Sequence, residues 1–140
     1  MQRFTLRHGF TLFELLVSIS IIGILIALGT VSFTTIQQSG RDSRRKSDVK
    51  GIQNALEQYY AQNSAYPTTC SAAELIEVLP NGIPEDPKTG DAAYAYELTC
   101  AAASFCSCAT LERAEAGNSS VDDCSNFVSN GDYFCVQNLQ

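Results

Sequence analysis

Between Phe10 and Phe33 the chain carries a single charged side chain, Glu14, in an otherwise apolar run. Few structures suit such a run. It is long enough to cross a bilayer, for which about 20 apolar residues suffice, and a helix satisfies its own backbone there. A carboxylate at that depth is costly, so it calls for a partner or a task. The residues ahead of the run, Arg7-His8-Gly9-Phe10, place a Gly–Phe junction shortly before the acid.

Two simpler readings compete. A secretory signal has an apolar core of about 7–15 residues ending at a small-x-small site. Ala27-Leu28-Gly29 offers such a site, but this run is longer and an acid is foreign to it. A plain membrane anchor accounts for the length, but not for the register of Glu14 to Gly9. A cut between Gly9 and Phe10, which the family resemblance given next implies, accounts for both. The new ammonium at Phe10 then stands four residues from Glu14, near it on one helix. In parallel helices with an axial stagger, the ammonium of one meets the carboxylate of the next. Buried charges are tolerable when paired, so such a pair sets register more than it adds stability.

Gly9-Phe10-Thr11-Leu12 and Glu14, followed by the apolar helix, resemble the class III signal of type IV pilins and type II secretion pseudopilins. The resemblance implies cleavage between Gly9 and Phe10 by a prepilin peptidase, N-methylation of Phe10, and a role in assembly for Glu14. It divides the chain into a leader (1–9), an N-terminal helix (10–63, with 10–33 in the membrane and then in a filament core) and a globular head (64–140). It implies a homo-oligomeric helical filament, an assembly platform protein with its ATPase machinery, and membrane lipids as partners before assembly. The subunit is then a single-pass protein of the cytoplasmic membrane with its N-terminus inside, and extracellular once assembled. That orientation rests on the resemblance. Arg41, Arg44, Arg45, Lys46 and Lys50 lie beyond the span, against the positive-inside tendency.

The helical pattern continues past the apolar run. Val49, Ile52, Leu56 and Tyr59 recur at helical spacing, and no proline precedes Pro67. A helix from Phe10 to about Asn63 measures about 80 Å at about 1.5 Å per residue. Gly23, Gly29, Gly40 and Gly51 are its weak points, at about 1 kcal/mol each. Tyr66-Pro67 ends it. Ser71 caps a short helix over 72–79, with Glu74 at the capping-box position. Pro80 to Pro87 reads as a loop. Asp86-Pro87-Lys88-Thr89-Gly90, then Tyr94-Ala95-Tyr96, resembles the Asp-Pro-x-x-Gly…Tyr-x-Tyr segment of major pseudopilins. Strands are expected at 94–100, 105–111 and 133–137. The fold class is therefore α+β and pilin-like: a long helix with a three- or four-stranded antiparallel sheet packed on it.

A head this small needs staples. Cys70, Cys100, Cys106, Cys108, Cys124 and Cys135 all lie in it, an even count that reads as a disulfide framework in an oxidising compartment. Six cysteines allow 15 pairings. Cys106 and Cys108 share one face of a strand, each turned toward another partner. The resemblance to pilins with a closed C-terminal loop implies Cys124–Cys135.

After residue 50 there are twelve acids and two bases, a net charge of −10. That balance opposes nonspecific nucleic-acid binding, which neutralises phosphates. The basic segment 41–50 reads either as a solvated face or as a contact for lipid head groups or a neighbour's acids. Residues 117–123 form a polar loop where major pseudopilins bind calcium. Asp122 and Asp123 offer hard oxygens, although a solvated acidic loop is the preferred reading and no cofactor is expected. The one histidine, His8, lies in the leader, and no nucleophile–base pair appears, so an enzyme is not expected. The function expected is a structural subunit of a pilus-like filament. The alternative is the major pseudopilin of a type II secretion system, and the third option a minor pilin for adhesion or DNA uptake.

Overall fold

The computed structural model describes residues 9–140, so the leader up to His8 lies outside the described residues. These residues form two compact units, one up to Gln37 and one spanning Gln38–Gln140. Helix α1 (Leu12–Asn63) contributes to both and passes through its four glycines without a break. In the first unit the apolar side chains are uncovered, as at Leu12, Ile22 and Leu28. The hydroxyls of Ser18 and Ser20 donate back to the carbonyls of Glu14 and Leu16 at 2.7 and 2.8 Å. That satisfies two polar groups inside an apolar helix.

In the second unit α1 is the wall on which the head is built. Val49, Ile52 and Leu56 are fully buried, and Tyr59 is half-buried. Ser64 ends the helix in the left-handed region (φ 57°), and its amide donates to Tyr60 O at 2.7 Å. The Tyr66 ring turns back onto Tyr60 and Phe105, with centroids at 4.6 and 5.0 Å. Helix α2 (Ala72–Val78) starts at Ser71, whose Oγ accepts the Glu74 amide at 3.4 Å. The Glu74 carboxylate takes the Thr69 amide at 2.9 Å and the Thr68 and Thr69 hydroxyls, reaching past the cap.

A 3-10 turn (Ala92–Tyr94) precedes five strands: β1 (Glu97–Ala101), β2 (Ser104–Thr110), β3 (Gly117–Ser119), β4 (Phe127–Gly131) and β5 (Tyr133–Gln137). They form one antiparallel sheet in the order β1-β2-β5-β3-β4. The strand expected from Tyr94 thus starts later, because the tyrosines are drawn to α1. The loop expected over 117–123 begins as a strand, and β4 is an addition to the expected sheet. Both depend on glycine. A Cβ at Gly117 would collide with the Tyr133 carbonyl, and one at Gly131 with the Ser119 carbonyl.

Strand β2 is the spine of the head, buried on both faces. Phe105 and Ala109 join the core with Val49, Ile52, Leu56, Tyr66, Leu75 and Val136. Cys106 and Cys108 point to the other side, into a second cluster with Cys135.

Candidate functional site

All six cysteines are bonded: Cys70–Cys100, Cys106–Cys124 and Cys108–Cys135. The expected Cys124–Cys135 bond is not formed. Cys135 stands directly across from Cys108 on the neighbouring strand. Cys124 is held in the left-handed region (φ 58°), with Asp123 Oδ1 accepting the Ser125 amide at 2.9 Å, and it meets Cys106 instead. Each of Cys106 and Cys108 therefore bonds a partner off its own strand.

The basic segment of α1 turns largely inward. Arg45 is fully buried. Its Nε and Nη2 donate to the two oxygens of Asp86 at 2.5 and 2.9 Å, and Nη1 donates to Asp42 at 2.7 Å and to Glu112 at 2.9 Å. Its guanidinium also lies 4.4 Å from the Tyr94 ring. Arg41 makes a two-point contact with Glu112, both bonds at 2.6 Å. Asp42 accepts the amides of Glu112 and Arg113. Burial opposes the Arg45 charge, but the three carboxylates outweigh it and hold the proton more firmly than usual. The Arg41 hydrogen bond, against the effect of burial and with help from Arg45, pulls Glu112 down to about 2. Asp86 is likewise lowered, burial being overcome by Arg45 and by the Lys88 amide. Lys46 donates to Ala116 O at 2.6 Å, and Lys50 lies 5.8 Å from the Phe134 ring. Arg44 is exposed, 3.8 Å from Asp48. Arg41, Arg45 and Lys46 thus dock the head, while Arg44 and Lys50 stay exposed.

The Asp-Pro-x-x-Gly…Tyr-x-Tyr segment gains a physical meaning here. Asp86 Oδ1 accepts the Lys88 amide at 2.7 Å, Gly90 takes φ +90°, and the turn delivers Asp86 and Tyr94 to Arg45. The Tyr96 hydroxyl donates to Asp48 at 2.9 Å. Burial, then Asp48, raises the Tyr96 pKa.

At the other end of α1, Gly9 and Phe10 precede the helix and are exposed. The Thr11 amide and hydroxyl donate to Glu14 Oε2 at 3.0 and 2.9 Å, and the Glu14 amide donates to Thr11 Oγ1 at 3.2 Å. This reciprocal capping box starts the helix. Its Thr-x-x-Glu spacing is visible in the sequence. The carboxylate is therefore turned toward the N-terminal end of its own helix. Among the described residues α1 is long and apolar enough to cross a membrane.

The less favoured calcium reading of Asp122 and Asp123 finds no cage among the described residues. Asp122 and Asp123 are exposed, and no third carboxylate joins them among the described residues. The neighbouring carbonyls of Val121 and Asn126 lie 2.7 and 2.9 Å from Ser119 Oγ, whose single hydrogen they share. A calcium ion takes six to eight oxygens, and this donor set does not fit one.

The profile of the prokaryotic N-terminal methylation motif matches residues 5–30. The type II secretion system core protein G of Aeromonas hydrophila is 32% identical over 92 residues, 66% of this chain and 64% of that protein. The core protein G of Pseudomonas aeruginosa is 35% identical over 79 residues, 56% of each chain. The type IV major pilin protein PilA of Myxococcus xanthus is 33% identical over 66 residues, 46% of this chain and 30% of the pilin. The chain thus spans less than two thirds of the length of these relatives. The chain carries the methylation motif near its start and is similar, over about half to two thirds of its length, to type II secretion core G proteins and a type IV pilin.

Proposed function

We propose that this chain is the subunit of a pilus-like filament, built from membrane-held copies after a cut between Gly9 and Phe10. The observation that carries the reading is the uncovered apolar run of α1, whose one acid up to Phe33, Glu14, is turned to the N-terminal end where the cut creates an ammonium. Bundling of such helices buries the apolar surface, and pairing of Glu14 with a neighbour's Phe10 amine sets the stagger. A prepilin peptidase, N-methylation of Phe10 and an assembly platform with its ATPase belong to the same reading. Of the two kinds of filament, the secretion pseudopilus is the better supported. The core G proteins match 56–66% of this chain in the two cases above, whereas the pilin matches 46%.

Replacing Glu14 by Ala tests the reading. The variant should stay in the membrane fraction and fail to enter filaments. Normal filaments from Glu14→Ala would refute the role of the carboxylate. Deletion of the chain should then stop protein export while leaving surface pili intact; the reverse outcome selects the pilus.

A further inference from the structure

The disulfides of the second cluster do not meet solvent alike. Cys108 and Cys135 are each 1% exposed, while Cys106 is 9% exposed and Cys124 is half-buried. Cys106 and Cys124 also line a cavity of about 310 Å³, with Thr99, Ser104, Asp123 and Gln137 among its walls. That is the small end of the range for ligand pockets. The Cys106–Cys124 bond thus faces a cavity, whereas Cys108–Cys135 is sealed from water.

The two bonds nevertheless touch. Cys108 Sγ lies 3.6 Å from Cys106 Sγ and 3.8 Å from Cys124 Sγ. A disulfide opens when a thiolate attacks one sulfur and the other leaves as a thiolate. Whichever sulfur of the outer bond leaves, it stands against Cys108. Cys106 and Cys108 sit two apart on β2, with about 6.8 Å between their Cα atoms, the upper limit for a bond between them. Cys124 lies on the segment between β3 and β4 and is free of that limit, so it is the productive leaving group.

We propose that the cavity is a reaction site for a small thiol, which opens Cys106–Cys124 and passes the opening on to the sealed Cys108–Cys135 bond. The external thiolate attacks Cys106 Sγ and forms a mixed disulfide there, and the electron pair of the broken bond leaves on Cys124. The Cys124 thiolate then attacks Cys108 Sγ. A Cys108–Cys124 bond forms, Cys108–Cys135 breaks, and Cys135 leaves as a thiolate that takes up the proton given up by the external thiol. One external thiol is consumed and one cysteine thiol appears, so the electrons balance. The reaction does not depend on the filament reading.

Charge selects the thiol. Asp123 is the one charged side chain lining the cavity, on a chain with a net −10 beyond residue 50. A positively charged aminothiol is therefore drawn in and an anionic thiol repelled.

The test uses the full chain in detergent, exposed to cysteamine, quenched in acid, alkylated and mapped by mass spectrometry. The first products should carry cysteamine on Cys106, a Cys108–Cys124 bond and an alkylated Cys135. A chain with both Cys106→Ala and Cys124→Ala should free Cys135 at least roughly tenfold more slowly, because the sealed bond has lost its internal attacker. At equal thiolate concentration cysteamine should outrun mercaptoethanesulfonate, and added salt or Asp123→Asn should narrow the gap. Cys135 freed while Cys106–Cys124 stays intact overturns the relay, and the map of the parent decides this even if the double variant does not fold. Adducts confined to Cys70 and Cys100, which also lines the cavity, overturn it too. Equal rates for the two thiols overturn the charge selection.

Discussion

Arg45 and Asp86, 41 positions apart, meet through two hydrogen bonds at 2.5 and 2.9 Å in the interior of the head. Among the described residues, the guanidinium is the one cation paired with Asp42, Asp86 and Glu112 together. Removing one partner of a buried pair costs about 3–5 kcal/mol. Arg45→Ala should therefore melt far below the parent or fail to fold. Arg45→Lys, which keeps the charge but loses the fork, should fall between them. Thermal unfolding of the full chain in detergent gives the ranking, and an Arg45→Ala as stable as the parent would contradict this account.

Stability should fall in acid. Glu112 titrates near 4.5 when unfolded and at about 2 when folded, and Asp86 is shifted the same way. Their contribution is complete above about pH 4.5 and is lost as the pH drops toward 2, on the order of 3 kcal/mol for Glu112. At the alkaline end, burial and then Glu57 push Tyr66 from 10.0 up to about 12. Stability present below pH 10 should decline as the pH rises through that window. Urea midpoints across pH should trace a plateau between the two flanks.

Ser64→Gly should stabilise the head by about 0.5–1 kcal/mol, because glycine adopts the φ of 57° at this helix end without a Cβ penalty. Equilibrium unfolding measures the gain, and a loss would show that the serine side chain matters more than its backbone.

Gly117→Ala and Gly131→Ala should each cost about 1–3 kcal/mol, since the added carbon meets a neighbouring strand's carbonyl. Gly40→Ala, where nothing lies within 4 Å, should raise stability instead.

Disulfide mapping should join Cys106 to Cys124 and Cys108 to Cys135. Recovery of a Cys124–Cys135 peptide would reverse the pairing described here.

Much of the fold was legible. The spacing of Val49, Ile52 and Leu56 announced the buried stripe, and Tyr66-Pro67 its end. The docking cluster was not read, although Asp42 and Arg45 extend that stripe at the same three-and-four spacing. In sequence they belong to a basic segment that reads as a solvated face or an outward contact, because charged residues are rarely buried unless paired and their partners Asp86 and Glu112 are remote. Strands β3 and β4 escaped notice because Gly117-Asn118-Ser119 shows no alternation; their pairing depends on close backbone approach. The disulfide pairing was beyond reach for a similar reason, since the opposition of Cys108 and Cys135 follows from strand register. The capping box at Thr11 and Glu14 was readable throughout.

The segment from Pro80 to Asp91 has the composition of a loop that a protease would clip freely. Asp86 binds it to α1 through Arg45, and Arg45 is bound in turn to Glu112 beyond β2. Helix, loop and sheet thus share one cation, and none of them can detach without stranding the charges of the other two. Cleavage within this loop should consequently be rare in the folded head and should keep pace with its complete unfolding, so that limited proteolysis finds either intact subunits or fragments.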